Sequence, residues 1–254
     1  MVMTLALMAA MPEELAALLA QLDSPTVHHH AGRAFHAGRL EGQDVVLVLS
    51  RIGKVAAATT ATLLIERFKA RAIVFTGVAG GLHPQARVGD IVIARELLQH
   101  DLDVSPLFPR HEVPLTGRSR FPTDAELSDG LQAAAAEALA VERLALAASL
   151  EALGVSQPRL HEGLIVSGDR FVATAAESQA LRHELPDALA VEMEGAALAQ
   201  VCHDCDVPYA VIRSISDRAD DAAHGDFLRY LAEVAAPMAA AILRCWLRRG
   251  PLPV

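Results

Sequence analysis

Residues 3–10, 72–76, 188–191 and 209–215 are predominantly apolar runs, each of strand length. They lack the alternation of a strand with one wet face, so each must be covered on both sides. Helical patterns fill the intervals. Leu15, Leu18, Leu19 and Leu22 follow the first run, and Val55, Thr59, Leu63 and Phe68 precede the second. Strands buried on both faces and alternating with helices predict an α/β chain: a three-layer α/β/α arrangement around a central mixed, largely parallel sheet.

The chain has 254 residues, 52% hydrophobic and 21% charged, which fits a single domain over residues 1–254 with a substantial core. Aromatic residues make up only 4%, so alanine, leucine and valine must build that core. The net charge is −9, and the 22 lysines and arginines are scattered, which argues against nucleic acid or an anionic membrane as a partner. Three cysteines without framework spacing suit a reducing cytoplasm. Cys202-His203-Asp204-Cys205 has no second ligand pair, and His28-His29-His30 reads as a solvated loop, so no metal is expected. Residues 2–11 lack a basic leader and run straight into Pro12-Glu13-Glu14, which reads as a buried first strand. No apolar run reaches the roughly 20 residues that a membrane helix needs.

Residues 34–40 and 45–50 read as a hairpin, residues 54–69 and 125–153 as helices, and 91–94 and 160–167 as strands. A helix over 174–184 has Thr174 as its N-cap, and 226–248 is a long closing helix. Residues 101–124 carry four prolines and read as a long loop or interface segment. Gly77-Val78-Ala79-Gly80-Gly81 follows the strand at 72–76; it is neither a P-loop nor a dinucleotide fingerprint, but its backbone can approach a ligand closely.

Acidic residues stand where apolar runs end, and the stretch 188–220 holds most of them. Glu192 and Glu194 follow one strand, and Asp217 follows the next. A carboxylate among apolar neighbours loses hydration and its pKa tends to rise, while the ends of strands in open α/β sheets are where ligands bind. Asp217 is therefore expected to be a protonated acid that donates, and Glu194 a carboxylate that grips hydroxyl groups. Glu14 stands at a third strand end, but acids in the first turn of a helix also serve the helix dipole, and that alone would account for Glu13 and Glu14. Glu192 is either a partner for Arg213 or a substrate contact.

Met11-Pro12-Glu13-Glu14, Thr76-Gly77-Val78-Ala79-Gly80-Gly81, Val88-Gly89-Asp90, Val166-Ser167-Gly168-Asp169-Arg170-Phe171, Val191-Glu192-Met193-Glu194 and Ser214-Ile215-Ser216-Asp217 occur in the order and spacing of one family. The chain resembles the 5′-methylthioadenosine/S-adenosylhomocysteine nucleosidases of the purine nucleoside phosphorylase-like superfamily. This resemblance implies hydrolysis of an adenine thionucleoside to adenine and a thioribose in methionine salvage, without a cofactor. It implies Glu14 as the base that activates water and Asp217, oriented by Ser216, as the acid that protonates adenine N7. Glu194 would hold the ribose hydroxyls and Met193 would pack against the sugar. Phe171 would stack on adenine, the Val172 backbone would read its edge, and the backbone from Val78 through Ala79 to Gly80 would approach the ligand. Met11, Ile52 and Phe227 would line the sugar and 5′-thio pocket. The family also implies a homodimer, with the irregular segment at its interface. Many members carry serine where this chain has Val78, so a hydroxyl is absent there.

Cleaving a C–N glycosidic bond builds positive charge on the sugar and negative charge on the base, which calls for an acid and a water-activating base in distinct environments. A phosphorylase would instead need arginine and backbone donors for phosphate near the first strand-helix turn, where this chain presents Glu13 and Glu14. Water is the expected nucleophile; Arg51 or Arg87 turned inward would favour phosphate. A phosphorylase and a non-catalytic nucleoside-binding protein remain the alternatives at this stage.

Overall fold

A computed structural model describes residues 4–155, 157–219 and 227–250. The first half contains β1 (Thr4–Ala9), α1 (Pro12–Leu19), β2 (Asp23–His30), β3 (Arg33–Leu40), β4 (Gln43–Leu49), α2 (Lys54–Phe68), β5 (Ala70–Gly81) and β6 (Ile91–Gln99). There follow β7 (Arg120–Pro122), α3 (Ala125–Ala145), α4 (Ala147–Ala152), β8 (Leu160–Ser167), α5 (Ala175–Glu184), β9 (Ala188–Glu192), α6 (Gly195–Asp204) and β10 (Tyr209–Asp217). The closing helix starts with α7 (Phe227–Tyr230), passes through a π turn at Leu231–Ala235 and ends as α8 (Ala236–Arg248).

The layers follow from the apolar runs. Along β1, Leu5, Leu7 and Ala9 join a core built with α1, α3 and α8. Ala6 and Met8, on the opposite face, join a second core with α2 and α6. Burying a side chain such as Leu7 or Met8 stabilises the fold by about 1.5–3 kcal/mol, which an exposed face would forfeit. The helix from Phe227 to Arg248 is long and apolar enough to cross a membrane, but 72% of its apolar window is buried. Met238, Ile242, Leu243 and Trp246 place it in the first core instead.

The sheet is mixed. Parallel pairings join β1 to β4 and β5, β5 to β10, β6 to β8, and β8 to β9. Antiparallel ones join β2, β3 and β4, and also link β10 to β6, β6 to β7 and β5 to β9. Because β5 pairs with β10 along most of its length and with β9 at Gly80 and Gly81, the sheet closes on itself through β10, β6, β8 and β9. Closure needs close approach: a Cβ on Gly81 would lie 2.6 Å from the Ala86 carbonyl oxygen. The ends of β1, β8, β9 and β10 thereby gather over the end of β5.

Four expectations need correction. His28-His29-His30 is part of an edge strand, β2, and not a loop; its side chains are solvated, but its backbone pairs with β3. The glycine cluster at 77–81 continues β5 because its backbone is held by β10 and β9. The helix expected over 125–153 breaks at Leu146 into α3 and α4. The strand expected over 91–94 runs on to Gln99. The closing helix is described from Phe227, and Met3, Asp220 and Asp226 lie outside the described residues. Thr174 caps α5 as expected, its hydroxyl accepting from the Glu177 amide.

Gly81→Ala should destabilise the chain by about 1–3 kcal/mol, since the clashing atom is backbone and cannot swing away. Equilibrium unfolding in urea would check it, and an unchanged midpoint would contradict the close approach that shuts the sheet.

Candidate active site

All the site residues expected from the sequence line one cleft, whose space of about 680 Å³ includes open solvent at its mouth. Strand ends build it. The turn after β1 delivers Met11 and the first turn of α1 delivers Glu14, β5 supplies the floor from Gly77 to Gly80, and β10 supplies Ser216 and Asp217. The end of β9 contributes Glu192, Met193 and Glu194, while the turn after β8 contributes Phe171 and Val172. Ile52, ahead of α2, and Phe227, at the start of α7, complete the walls. Phe171 and Ile52 are 50% and 56% exposed and form the rim.

Glu14 uses its two oxygens differently. Oε2 accepts from the Ala10 and Met11 amides at 3.0 and 2.9 Å, closing the first turn of α1 as a capping box. Oε1 is buried and has no hydrogen-bonding partner among the described residues. It lies at the floor, where a Cβ on Gly77 would be only 3.1 Å away. Burial pushes the Glu14 pKa up, and the Met11 amide, the Arg213 charge and the Ala10 and Val78 amides oppose that rise. A raised pKa together with a free buried oxygen suits a base that takes a proton from water.

Asp217 is 6% exposed. The Ala219 amide donates to Oδ1 at 2.7 Å and the Ser216 hydroxyl to Oδ2 at 2.8 Å. A Cβ on Gly80 would stand 3.0 Å from Oδ1, so glycine is what lets the carboxyl sit against the β5 backbone.

Glu194 is also buried, and its Oε1 accepts from the Gly53 amide at 2.7 Å. Burial pushes its pKa up to about 7, with help from the Glu192 charge, against the Gly53 hydrogen bond and Arg213. Glu192 is engaged by protein groups. The Arg213 Nη2 donates to its Oε2 at 2.7 Å, the Gly195 amide donates at 2.9 Å, and the Ser167 hydroxyl donates to Oε1. The resulting ion pair is almost wholly buried.

Arg213 is the wall residue that the sequence identified only as a partner for Glu192. Nη1 donates to the Phe75 and Ile212 carbonyls, and the guanidinium lies 4.2 Å over the Phe75 ring. Its signal was legible: a lone charge inside an apolar strand needs a buried partner. Ala10, Val191 and Arg170 also line the cleft and were not expected there. Arg51 and Arg87 do not line it; both are exposed, and Arg51 donates to the Gly32 carbonyl. Arg170 pairs with Glu177 at the surface. Among the described residues no group of three potential metal ligands gathers. Water, with Glu14 beside it, fits this lining better than a phosphate dianion does.

Residues 4–246 match the model of the phosphorylase superfamily. The chain is 39% identical over 253 residues to the 5′-methylthioadenosine/S-adenosylhomocysteine nucleosidase of Mycobacterium bovis, covering 96% of this chain and 97% of that one. The crystal structure of the Neisseria meningitidis nucleosidase in complex with methylthio-immucillin-A has a TM-score of 0.84 and 34% identity, over 98% of this chain and 100% of that one. The Colwellia psychrerythraea nucleosidase in complex with adenine gives 0.82 and 37%, over 96% and 94%. With its strand-end carboxylates in one cleft and its similarity running the length of the chain, this protein belongs to the 5′-methylthioadenosine/S-adenosylhomocysteine nucleosidase family within the phosphorylase superfamily.

Proposed function

We infer that the chain hydrolyses the N-glycosidic bond of 5′-methylthioadenosine and S-adenosylhomocysteine, releasing adenine and the thioribose. The observation that carries the chemistry is the pairing, in one cleft, of a free buried oxygen on Glu14 with the anchored carboxyl of Asp217. Glu14 Oε1 takes a proton from water as the oxygen attacks C1′ of the sugar. The C1′–N9 bond breaks, its electrons pass to the purine, and Asp217 gives its proton to N7. The oxocarbenium character of the sugar is then flanked by carboxylates, which stabilise it.

Binding divides along the cleft. Phe171 stacks on the purine and the Val172 backbone reads its edge, while Met193 packs on the sugar. Glu194 accepts from the ribose hydroxyls, and Met11, Ile52 and Phe227 enclose the 5′-thio substituent. Val78, Ala79 and Gly80 form the floor, and Glu192 acts through Arg213. No cofactor takes part in this scheme.

The active unit is a cytoplasmic homodimer of single-domain chains that serves methionine salvage. Val55, Leu107 and Leu115 are 78%, 78% and 91% exposed, and the last two belong to the segment expected at the interface. Cys202 and Cys205 are free thiols, as suits a reducing compartment. Sedimentation equilibrium tests the dimer, and a monomer at micromolar concentration would overturn it.

Adenine release from methylthioadenosine in phosphate-free buffer should proceed at full rate. A requirement for added phosphate would mean a phosphorylase, and no release would mean a binding protein. Glu14→Gln and Asp217→Asn should each lower kcat by about 10²–10⁴-fold with the fold intact. Near-normal turnover in either variant, with circular dichroism unchanged, would remove that residue from the mechanism.

Glu194 also makes stability depend on pH. Its pKa is 4.5 as the ordinary value and about 7 in the fold, so the folded chain holds a proton that the unfolded chain releases between them. Stability from this group is complete below the lower value and is lost as the pH rises through the upper one. The Tm of the ligand-free protein should therefore fall from pH 4.5 to about pH 7, and Glu194→Gln should flatten that fall. Parallel Tm profiles for the two proteins would contradict a raised pKa at Glu194.

A further inference from the structure

Three charged residues outside the cleft wall form a closed ring of hydrogen bonds. The Lys54 ammonium donates to Asp101 Oδ1 at 2.6 Å, and Asp101 Oδ2 accepts from the Asp169 amide at 2.8 Å. Asp169 Oδ1 in turn accepts from the Lys54 amide, also at 2.8 Å. Each member comes from a different element: Lys54 opens α2, Asp101 follows β6, and Asp169 follows β8. None of the three lines the cleft.

What adjoins the ring gives it a use. Gly53, one residue before Lys54, donates its amide to Glu194, and Phe171 stands two residues after Asp169. Both ends of the substrate site therefore hang from consecutive or near-consecutive backbone positions that the ring ties together. The tie is tight at Gly53, which has φ +98°, and a Cβ there would lie 3.2 Å from Asp169 Oδ1. A side chain at 53 would be strained and would crowd the carboxylate.

We propose that the ring of Lys54, Asp101 and Asp169 is a positioning device that fixes the purine shelf at Phe171 and Val172 relative to the ribose-holding carboxylate of Glu194. Lys54 is its central positioning residue, because its amide and its ammonium each close one side. Burial alone would push the Asp101 carboxyl up, but the Lys54 ammonium and the Asp169 amide bring it below its ordinary value, as expected of a carboxylate that stays charged in the ring. The Lys54 and Asp101 side chains are 17% and 25% exposed, so solvent screens the pair only in part. The Lys54 ammonium also reaches Gln99 Oε1 at 3.2 Å, and Gln99 bonds to Gln200 on α6, the helix that follows Glu194. The ring is thus joined to the sugar clamp from a second side.

The inference rests on the roles given above to Phe171 and Glu194. A nucleoside occupies shelf and clamp together, whereas free adenine occupies the shelf alone. Loss of registration between them should penalise the first ligand and spare the second. Lys54→Met should raise KM for methylthioadenosine about tenfold while changing the inhibition constant of adenine less than about twofold, and Lys54→Arg should recover most of the loss. Asp101→Ala, which removes another corner of the ring, should give the same split and serves if Lys54→Met folds poorly. Wild-type KM in a folded variant, or KM and the adenine constant rising together, would overturn the proposal. Phe171→Ala and Glu194→Gln separate the two levels. If they raise KM while Lys54→Met does not, only the ring is wrong; if they too leave KM unchanged, the site assignment itself has failed.

Discussion

The buried pair of Arg213 and Glu192 is the interaction on which the rest of the site depends. A guanidinium in the middle of β10 needs its charge balanced and most of its donors met. Two carbonyls and a carboxylate take the Nη donors and an aromatic face covers the group, all from β5, β10 and β9, while Nε is buried without a hydrogen-bonding partner among the described residues. Glu192 then draws in Ser167 from β8 and the Gly195 amide at the start of α6. Removing one partner from such a pair typically costs about 3–5 kcal/mol, because the other is left charged and dry. Here the loss would go beyond stability. Glu14 and Glu194 both feel the Arg213 charge as a downward pull on their pKa values. Without it, Glu14 and Glu194 would have only backbone amides to oppose protonation.

Around that pair the carboxyls differ by environment rather than by type. Glu14 has two amides bonded to Oε2, while Oε1 has the Val78 amide nearby but makes no full hydrogen bond among the described residues. Asp217 has an amide and a hydroxyl, one for each oxygen. Glu194 has one amide and a like charge nearby. Such differences are what allow neighbouring carboxyls to hold different protonation states and do different work. They also bear on the nucleophile. A phosphate dianion at this floor would meet the Glu14 oxygen at close range, and the one buried guanidinium among the cleft-lining residues is already committed to Glu192. Val78 adds no hydroxyl to that floor, so the polar groups beside Glu14 Oε1 are backbone and Arg213.

How much of this could be read beforehand depended on where the structural signal resided. Strands β1, β9 and β10 and the first part of β5 were legible because they are largely buried on both faces and their side chains say so. β2 was not, because its side chains are solvated and its identity as a strand lies in backbone pairing with β3. The same holds for 77–81, whose glycines read as following the strand but whose main chain is gripped from two sides. The break at Leu146 was hidden because the alanine-rich helical pattern continues across it. Glu14 is the instructive case. A helix-start acid and a base seemed to be competing readings, yet the first describes Oε2 and leaves Oε1 for the second. Arg213 was visible as a charge in an apolar run, but only the folded pairing reveals that it borders the cleft.

Closure of the sheet converts these separate strand ends into one site. In an open parallel sheet, β1 and β9 would present their ends far apart, since β5, β10, β6 and β8 could all lie between them. The antiparallel contact of Gly80 with Val191 and of Gly81 with Ala190 brings the end of β9 back over β5. Glycine is required there because the same backbone must also leave room for Asp217 and Ala219 on one side and Ala86 on the other. Glu194, two residues beyond β9, is thereby carried into the same cleft as Glu14 and Asp217, which arrive from β1 and β10. The acid, the base and the sugar clamp are thus held in register by main-chain pairing, and side chains at their tips are left to set the charge.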